Sequence, residues 1–437
     1  MTTASDTIFA LSSGSVPSGV AVIRLSGPRA FDAANALVAG LPRRRDMVLR
    51  SIRSRNGSLI DRGLVLTFPS PASFTGEDCI EFQVHGGRAV VQAIADALKG
   101  EGLRPAEAGE FTQRAFDNGK LDLVEVEGLG DLISADTEMQ RRLAIEQSAG
   151  GLSRRYADWA ERLTRCRALI EAELDFADED DVPGSVSDQV WSVVDQVRRE
   201  IDSQSDATLR ASAFRDAFKV VILGAPNAGK SSLLNAFARR DVAIVTEIAG
   251  TTRDVLEVDL DWDGFLVRLS DTAGLRESQD QVEQEGIRRA KRAAAEADLV
   301  LLLRSVDSVP EQPAFGSDAP PILRIWSKAD LDVPPQEEMD AVISVESGQG
   351  LDDLRQLILE HVKREWTAIS ALGAGRMRHQ GHLQNASLYL QDALKEDQVD
   401  LRAESLRLAA DCFGRITGRV DVEDLLDVIF SEFCIGK

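Results

Sequence analysis

Lys219-Val-Val-Ile-Leu-Gly-Ala-Pro-Asn-Ala-Gly-Lys-Ser-Ser232 is the stretch that decides the fold. Val220 to Leu223 is a short apolar run with the β-branched character of a buried strand. Gly224 to Ser231 then fits G-x-x-x-x-G-K-[ST] at every fixed position, and Leu233 to Phe237 continues as a helix. Strand, glycine loop and helix in that order form a phosphate cradle. The glycines let backbone N–H groups curl around phosphate oxygens, and the helix N-terminus adds its dipole. In such a loop Lys230 reaches the β- and γ-phosphates and the Ser231 hydroxyl holds Mg2+.

The parts of a GTP site follow in order. Gly250-Thr-Thr-Arg-Asp254 offers a threonine hydroxyl to the Mg2+ shell. Val255 to Leu260 and Phe265 to Leu269 alternate in polarity and meet at Asp263-Gly264, which predicts a hairpin. Its second strand runs into Asp271-Thr-Ala-Gly274, where a strand-end carboxylate organises the metal and Gly274 can approach a γ-phosphate. Leu299 to Leu303 and Ile322 to Trp326 are two more core strands, the latter ending in Ser327-Lys-Ala-Asp330. Guanine offers donors at N1 and N2, and an ionised carboxylate is acceptor-only, so Asp330 suits guanine. Lys328 would lay its stem along the base. The usual pattern has Asn where this chain has Ser327, which is shorter and has no amide. Ser344 to Gly350 resembles the loop whose backbone contacts guanine O6, with Val345 in place of the expected Ala.

Hydrolysis needs a positioned water and charge neutralisation. Small GTPases of the Ras type place Gln just after the DxxG glycine. That position is Leu275 here, so the polar group must come from elsewhere: Glu277, Asp280, Glu283 or Glu285. Arg253 and Arg276 are the available arginine fingers, although a solvated role suits both better.

The chain has 437 residues, enough for two or three domains, with 50 Lys+Arg against 72 Asp+Glu and a formal charge of −22. Such a chain repels nucleic acid in general, so any nucleic-acid contact needs a local basic surface or a partner. No apolar run approaches a membrane span, and no secretion signal is expected. Cys79, Cys166, Cys412 and Cys434 are widely spaced, with no zinc pattern, which favours a reduced cytoplasmic setting.

Residues 1–118 read as a compact α/β unit. Its strands are Gly19 to Gly27, Leu64 to Phe68 and Cys79 to Val84, and Ala89 to Leu98 is a helix. From 119 to 215 the pattern is helical: Leu129 to Ala149, Leu152 to Phe176 and Val186 to Ala213, broken by the acidic loop at 175–181. Residues 216–365 form the nucleotide domain. Residues 366–437 return to helices over Leu383 to Leu394, Leu401 to Phe413 and Val422 to Phe433. The expected fold class is therefore mixed α/β and α, a helical domain with a P-loop domain inserted in it. That inserted domain is Ras-like, a parallel-type sheet with flanking helices.

Motifs spread over almost the full length resemble the MnmE (TrmE) family of bacterial and organellar tRNA modification GTPases. They are Asp6-Thr-Ile8, Arg24-Leu-Ser-Gly-Pro28, Phe74-Thr-Gly-Glu-Asp78 with Glu81, His85-Gly-Gly87, Arg104 to Thr112, Arg114-Ala-Phe116, Asn118-Gly-Lys-Leu-Asp122 and the terminal Phe433-Cys-Ile-Gly-Lys437. The resemblance implies an N-terminal domain that forms a homodimer and binds 5-formyl-tetrahydrofolate through Arg24, Glu81, Lys120 and Lys437. Without it, Arg24, Glu81 and Lys120 read as surface or ion-pair residues, His85 as a strand-end structural residue and Cys434 as buried and structural. It implies an FAD-containing partner of the MnmG/GidA type in a heterotetramer. With tRNA as substrate, the pair adds an aminomethyl or carboxymethylaminomethyl group to C5 of the wobble uridine, the folate supplying the carbon.

For the nucleotide domain the resemblance implies K+ in place of an arginine finger, held by Asn227, Thr246, Ile248 and Thr251. Mg2+ falls to Ser231 and Thr252. Glu283, twelve residues past Asp271, takes the catalytic role through water. The implied GTP contacts are Asn227, Ala228, Gly229, Lys230, Ser231 and Ser232; Thr246, Glu247, Ile248, Ala249, Gly250, Thr251 and Thr252; Asp271, Thr272, Ala273 and Gly274; and Lys328 with Asp330. The competing reading is a GTPase of another class, such as a ribosome-assembly or ion-transport regulator, with the same nucleotide domain. The segment 1–122 and the terminal CIGK separate the two.

Overall fold

The computed structural model describes residues 6–42, 46–175, 186–241, 256–271, 292–306, 320–332, 339–370, 375–420, 426, 429, 430, 433 and 436. They fall into two compact units, 1–130 with 414–437, and 131–413. Among the described residues no helix is long and apolar enough to cross a membrane.

The first unit is built on strands β1 (Ile8–Leu11), β2 (Ser18–Ser26), β3 (Met47–Arg53), β4 (Leu59–Phe68), β5 (Cys79–Gly86) and β6 (Arg104–Pro105). The sheet order is β3-β4-β5-β2-β1-β6, antiparallel except for β1 with β6. Helices α1 (Ala30–Leu37) and α2 (Arg88–Gly100) cover one face, packing on Ile23, Leu25, Ile52, Val65, Ile80 and Phe82. Helix α3 (Glu110–Asp117) brings Phe111 to Ile8 and Ala10 on the other face, with Phe74 beside them. The sequence reading missed β1, β3, β6, α1 and α3. Strand β3 is an edge strand with exposed Met47 and Leu49, so it lacks the buried alternation that marks a strand.

The C-terminal residues belong to this unit. Phe430 and Phe433 pack with Leu123 and Val126 of α4 (Leu123–Ser134). Ser12 donates its hydroxyl to the Gly436 carbonyl at 2.8 Å. Gly436 has φ +102°, and a Cβ there would lie 2.2 Å from the Leu11 carbonyl oxygen, so this contact admits only glycine.

The second unit begins with α5 (Glu138–Ser148), α6 (Gly151–Asp175) and α7 (Val186–Asp216). Leu129 to Ala149 is thus two helices, not one. Thr137 forms a capping box with Gln140 and starts α5 afresh. The valine stripe of α7 is buried at Val190, Val194, Val197 and Ile201. Tyr156 and Trp159 of α6 pack on Phe413.

The nucleotide domain follows: β7 (Phe218–Gly224), α8 (Lys230–Arg240), β8 (Leu256–Trp262), β9 (Phe265–Asp271), β10 (Leu299–Arg304), β11 (Ile322–Trp326), β12 (Ala341–Val342) and α9 (Leu351–Ser370). The order β12-β11-β10-β7-β9-β8 is parallel except for the β8–β9 hairpin. Asp263 and Gly264 turn that hairpin at φ +53° and +87°, as a two-residue I′ turn requires. Strand β7 is central and buried on both faces. Val220 and Ile222 enter the core shared with α8 and α9, while Val221 and Leu223 face Val300 and Leu302 on the other side. That two-sided burial explains why β7 is an unbroken apolar run. Helices α10 (Met377–Lys395) and α11 (Val399–Thr417) follow, with α10 packing along α7. Between α7 and α10, Ser387 donates to the Asp202 carboxylate.

Candidate functional site

The nucleotide site starts where β7 ends. Gly224 has φ +151°, and a Cβ there would sit 2.5 Å from the Leu303 carbonyl of β10, so the loop leaves the sheet only through glycine. Asn227 and Gly229 also take positive φ, and Gly229 is the N-cap of α8. Lys230, at the first position of the helix, folds back across the loop. Its Nζ donates to the Gly224 and Ala225 carbonyls at 2.9 Å each. This bends the loop around its own lysine, the shape a phosphate cradle needs.

Parallel pairing of β7 with β9 puts Asp271 beside Ile222, two residues before Gly224. Asp271 is fully buried and accepts a hydrogen bond from the Ser231 hydroxyl. The two oxygens that the sequence assigns to a metal shell therefore meet. Asn227 lies exposed on the loop, and among the described residues its amide makes no hydrogen bond.

The segment that the sequence assigns to the base forms where β11 stops. Ser327 is buried, and its hydroxyl contacts the Ala228 and Arg304 carbonyls. Lys328 turns at φ +58°. Ala329 N–H donates to the Ile343 carbonyl at 3.1 Å, which locks 327–330 onto the strand after it. Asp330 is exposed, and its Oδ1 accepts the hydroxyl of the fully buried Ser344. The 344–350 loop closes on itself through Gly348 N–H to the Ser344 carbonyl. Val345 packs against the core of the domain, so its bulk is accommodated inward and its backbone remains in the loop.

A second constellation lies in the first unit. Arg24 and Glu81 stand opposite each other on β2 and β5 and pair at 2.9 Å. The Arg24 guanidinium lies 5.4 Å from the Phe74 ring centroid and 5.9 Å from that of Phe111. Lys120 donates to the Pro71 carbonyl at 2.9 Å, and its stem lies against Gly76. Behind these residues runs an ionic network. Arg114 contacts Asp6, Glu77 and Glu110, and Arg104 contacts Asp6 and Glu110. Burial alone would raise the Glu110 carboxyl. Arg104, the Glu107 N–H and Arg114 outweigh it and hold that carboxyl below its ordinary range. The Asp6 carboxyl is held down in the same way by Arg104 and Arg114 against its own burial. His85 is a strand-end partner: its backbone N–H and ring Nδ1 both meet the Asp61 carboxylate.

A family model described as "MnmE helical domain" matches residues 123–434. One described as "GTP-binding protein TrmE N-terminus" matches residues 7–120. The chain belongs to the MnmE (TrmE) family. Its relatives include the tRNA modification GTPase MnmE of Rhizobium meliloti strain 1021, 59% identical over 435 residues and 99% of both chains. That of Sinorhizobium medicae strain WSM419 is 57% identical over 443 residues, again 99% of each. That of Agrobacterium fabrum strain C58 is 54% identical over 442 residues and 100% of each.

Within this MnmE-family chain the structure brings together Lys230, Ser231 and Asp271 at one end of the sheet, and Lys328 with Asp330 at its base side. It brings Arg24 to Glu81. Thr246, Glu247, Ile248, Ala249, Gly250, Thr251, Thr252, Thr272, Ala273, Gly274, Glu283, Cys434 and Lys437 lie outside the described residues. Sequence reasoning did not find Ser344 as the partner of Asp330, nor Phe74 and Phe111 as the rings around Arg24. The second pair carried a signal, since both phenylalanines lie inside motifs of the MnmE family.

Proposed function

We propose that the chain hydrolyses GTP in the service of tRNA modification. With an FAD-containing partner of the MnmG/GidA type it adds an aminomethyl or carboxymethylaminomethyl group to C5 of the wobble uridine. The observation that carries the reading is the meeting of Lys230, Ser231 and Asp271 above β7 in a chain matched along its length by MnmE-family relatives. Lys230 takes the β- and γ-phosphates. Ser231, with Thr252, holds Mg2+. A hydroxyl and a carboxylate side by side are the hard oxygen donors that this ion prefers. Asp330, fixed by Ser344, reads guanine N1 and N2, and Lys328 covers the base.

Asn227 carries a side-chain oxygen that no other described residue engages, so it suits K+. Thr246, Ile248 and Thr251 complete that set. The ion would supply the positive charge that an arginine finger supplies elsewhere, and Glu283 orients water. In the first unit, Arg24, Glu81, Lys120 and Lys437 hold 5-formyl-tetrahydrofolate. The donor set suits it, with a carboxylate for the pterin edge and basic groups for the folate carboxylates. Docking of Gly436 on Leu11 supports this, because Leu11 follows Ala10, the β1 partner of Arg24. Exposed Met47 and Leu49, on the sheet face away from α1 and α2, are available to a second copy in a homodimer. The partner then completes a heterotetramer, in the cytoplasm.

GTP turnover at equal ionic strength in KCl and NaCl tests the nucleotide chemistry. Turnover should be faster in K+ and lost in Lys230→Ala. Equal rates in the two salts would remove the role given to Asn227.

A further inference from the structure

The first unit carries an arginine cluster that none of this chemistry uses. Between Met47 and Phe68 stand Arg50, Arg53, Arg55 and Arg62 against a single aspartate, in a chain whose formal charge is −22. Many arginines elsewhere are matched by carboxylates, although Arg29, Arg154 and Arg402 donate to main-chain carbonyls as well. Arg141 and Arg142 share Glu138, and Arg407 has Glu404 and Asp411. The hairpin arginines are not so matched. Arg50 donates to the Gly40 and Leu49 carbonyls, and Arg53 to the Gly57 carbonyl at 2.9 Å. Among the described residues the side chains of Arg55 and Arg62 make no hydrogen bond or ion pair. The one acid, Asp61, is engaged by His85 and by the Arg62 backbone N–H.

Arg53, Arg55 and Arg62 are exposed, and the register gathers them at the turn end of β3–β4. Arg62 lies opposite Ser51, and Arg53 opposite Leu59. The turn between them is held firmly. Ser54 N–H donates to the Ser58 carbonyl at 3.0 Å, Gly57 N–H to the Ser54 carbonyl at 2.8 Å, and Ser58 N–H to the Asn56 side chain at 3.0 Å. Charge on an edge strand commonly blunts aggregation. That role does not explain Arg55 in the turn or Arg62 on the interior strand β4.

We propose that the turn end of the β3–β4 hairpin, through Arg53, Arg55 and Arg62, docks the phosphate backbone of the tRNA. The proposal rests on the tRNA reading above. Guanidiniums without a carboxylate partner, on a hydrogen-bonded turn and the strand ends beside it, match phosphate geometry. They also give an acidic chain the local basic surface that phosphate contact requires.

The test uses the full chain and a fluorescein-labelled, unmodified tRNA transcript, with anisotropy read over a series of salt concentrations. The triple variant Arg53→Gln, Arg55→Gln, Arg62→Gln should bind about tenfold more weakly or worse, with a log–log salt slope shallower by about 2–3. The corresponding triple Lys variant should keep most of the slope. GTP turnover and molecular mass should match the parent in both. An unchanged affinity and slope in the Gln variant would overturn the proposal. So would absence of tRNA binding by the parent chain. So would a change in molecular mass accompanying the loss, which would make the hairpin a contact between copies. None of these outcomes touches the modification reading, which stands or falls on the nucleosides of cellular tRNA.

Discussion

Ser327 sends its hydroxyl toward two main-chain carbonyls at once, those of Ala228 in the phosphate loop and Arg304 at the end of β10. A hydroxyl has one hydrogen, so only one carbonyl is served at a time. The buried Ser327 thus ties the turn after β11 to the phosphate loop with a single bond, and its hydroxyl is spent inside the protein. Ser327→Ala leaves a carbonyl unpaired, at a cost of about 1–3 kcal/mol. GTP affinity should fall by up to about a hundredfold. Ser327→Asn brings two N–H donors and should slow GDP release. Stopped-flow release of a fluorescent GDP analogue checks both, and release unchanged in both variants would mean that the tie does not matter.

Asp330 is exposed, and the Ser344 hydroxyl fixes one of its oxygens. Asp330→Asn turns one acceptor into a donor and clashes with the guanine N–H groups. Loss of hydrogen bonds to a charged group is worth about 1.5–3 kcal/mol, so GTP affinity should drop about 10- to 100-fold while XTP gains. Competition binding of the two nucleotides measures it. An unchanged GTP/XTP preference would show that Asp330 does not read the base.

Lys120 is exposed, and the one described hydrogen bond of its side chain is to the Pro71 carbonyl. Lys120→Ala should therefore change stability by no more than about 0.5 kcal/mol. A loss of 5-formyl-tetrahydrofolate affinity in this variant reports binding and not misfolding. Calorimetric titration of the nucleotide-free protein is the measurement, and equal affinity in parent and variant would remove Lys120 from the pocket.

The Glu110 and Asp6 carboxyls are held below their ordinary values. Groups depressed on folding stabilise the folded state above their unfolded pKa, and that stability is lost as pH falls through the folded value. Melting of the N-terminal unit should be flat in pH above the ordinary carboxylate range and should drop steadily below it. Arg114→Met removes the shared cation. It should lower stability by about 3–5 kcal/mol and flatten the acid limb. Thermal melts by circular dichroism across pH follow both effects, and an acid limb unchanged in Arg114→Met would assign it to other groups.

The nucleotide domain was legible in the sequence because its signals are local. The loop, the Asp263-Gly264 turn and the strand ending at Asp271 each declare themselves within a few residues. Local signals failed where partners are remote. Arg114 meets Asp6 across 108 positions, and Ser12 meets Gly436 across 424. No spacing rule links such residues. The exposed edge strand β3 lacked a buried face to read. The break before α5 was written in Thr137 and Gln140, but a continuous apolar period across it hid the cap.

The proposed function has GTP bound at Lys230 and Ser231 spent on a tRNA wobble base. Mass-spectrometric analysis of tRNA nucleosides from a deletion strain tests it most directly, with the parent gene or Lys230→Ala supplied in trans. Loss of the C5 aminomethyl-type groups is expected, restored by the parent gene and not by the variant. Unaltered wobble uridines in the deletion strain would contradict it.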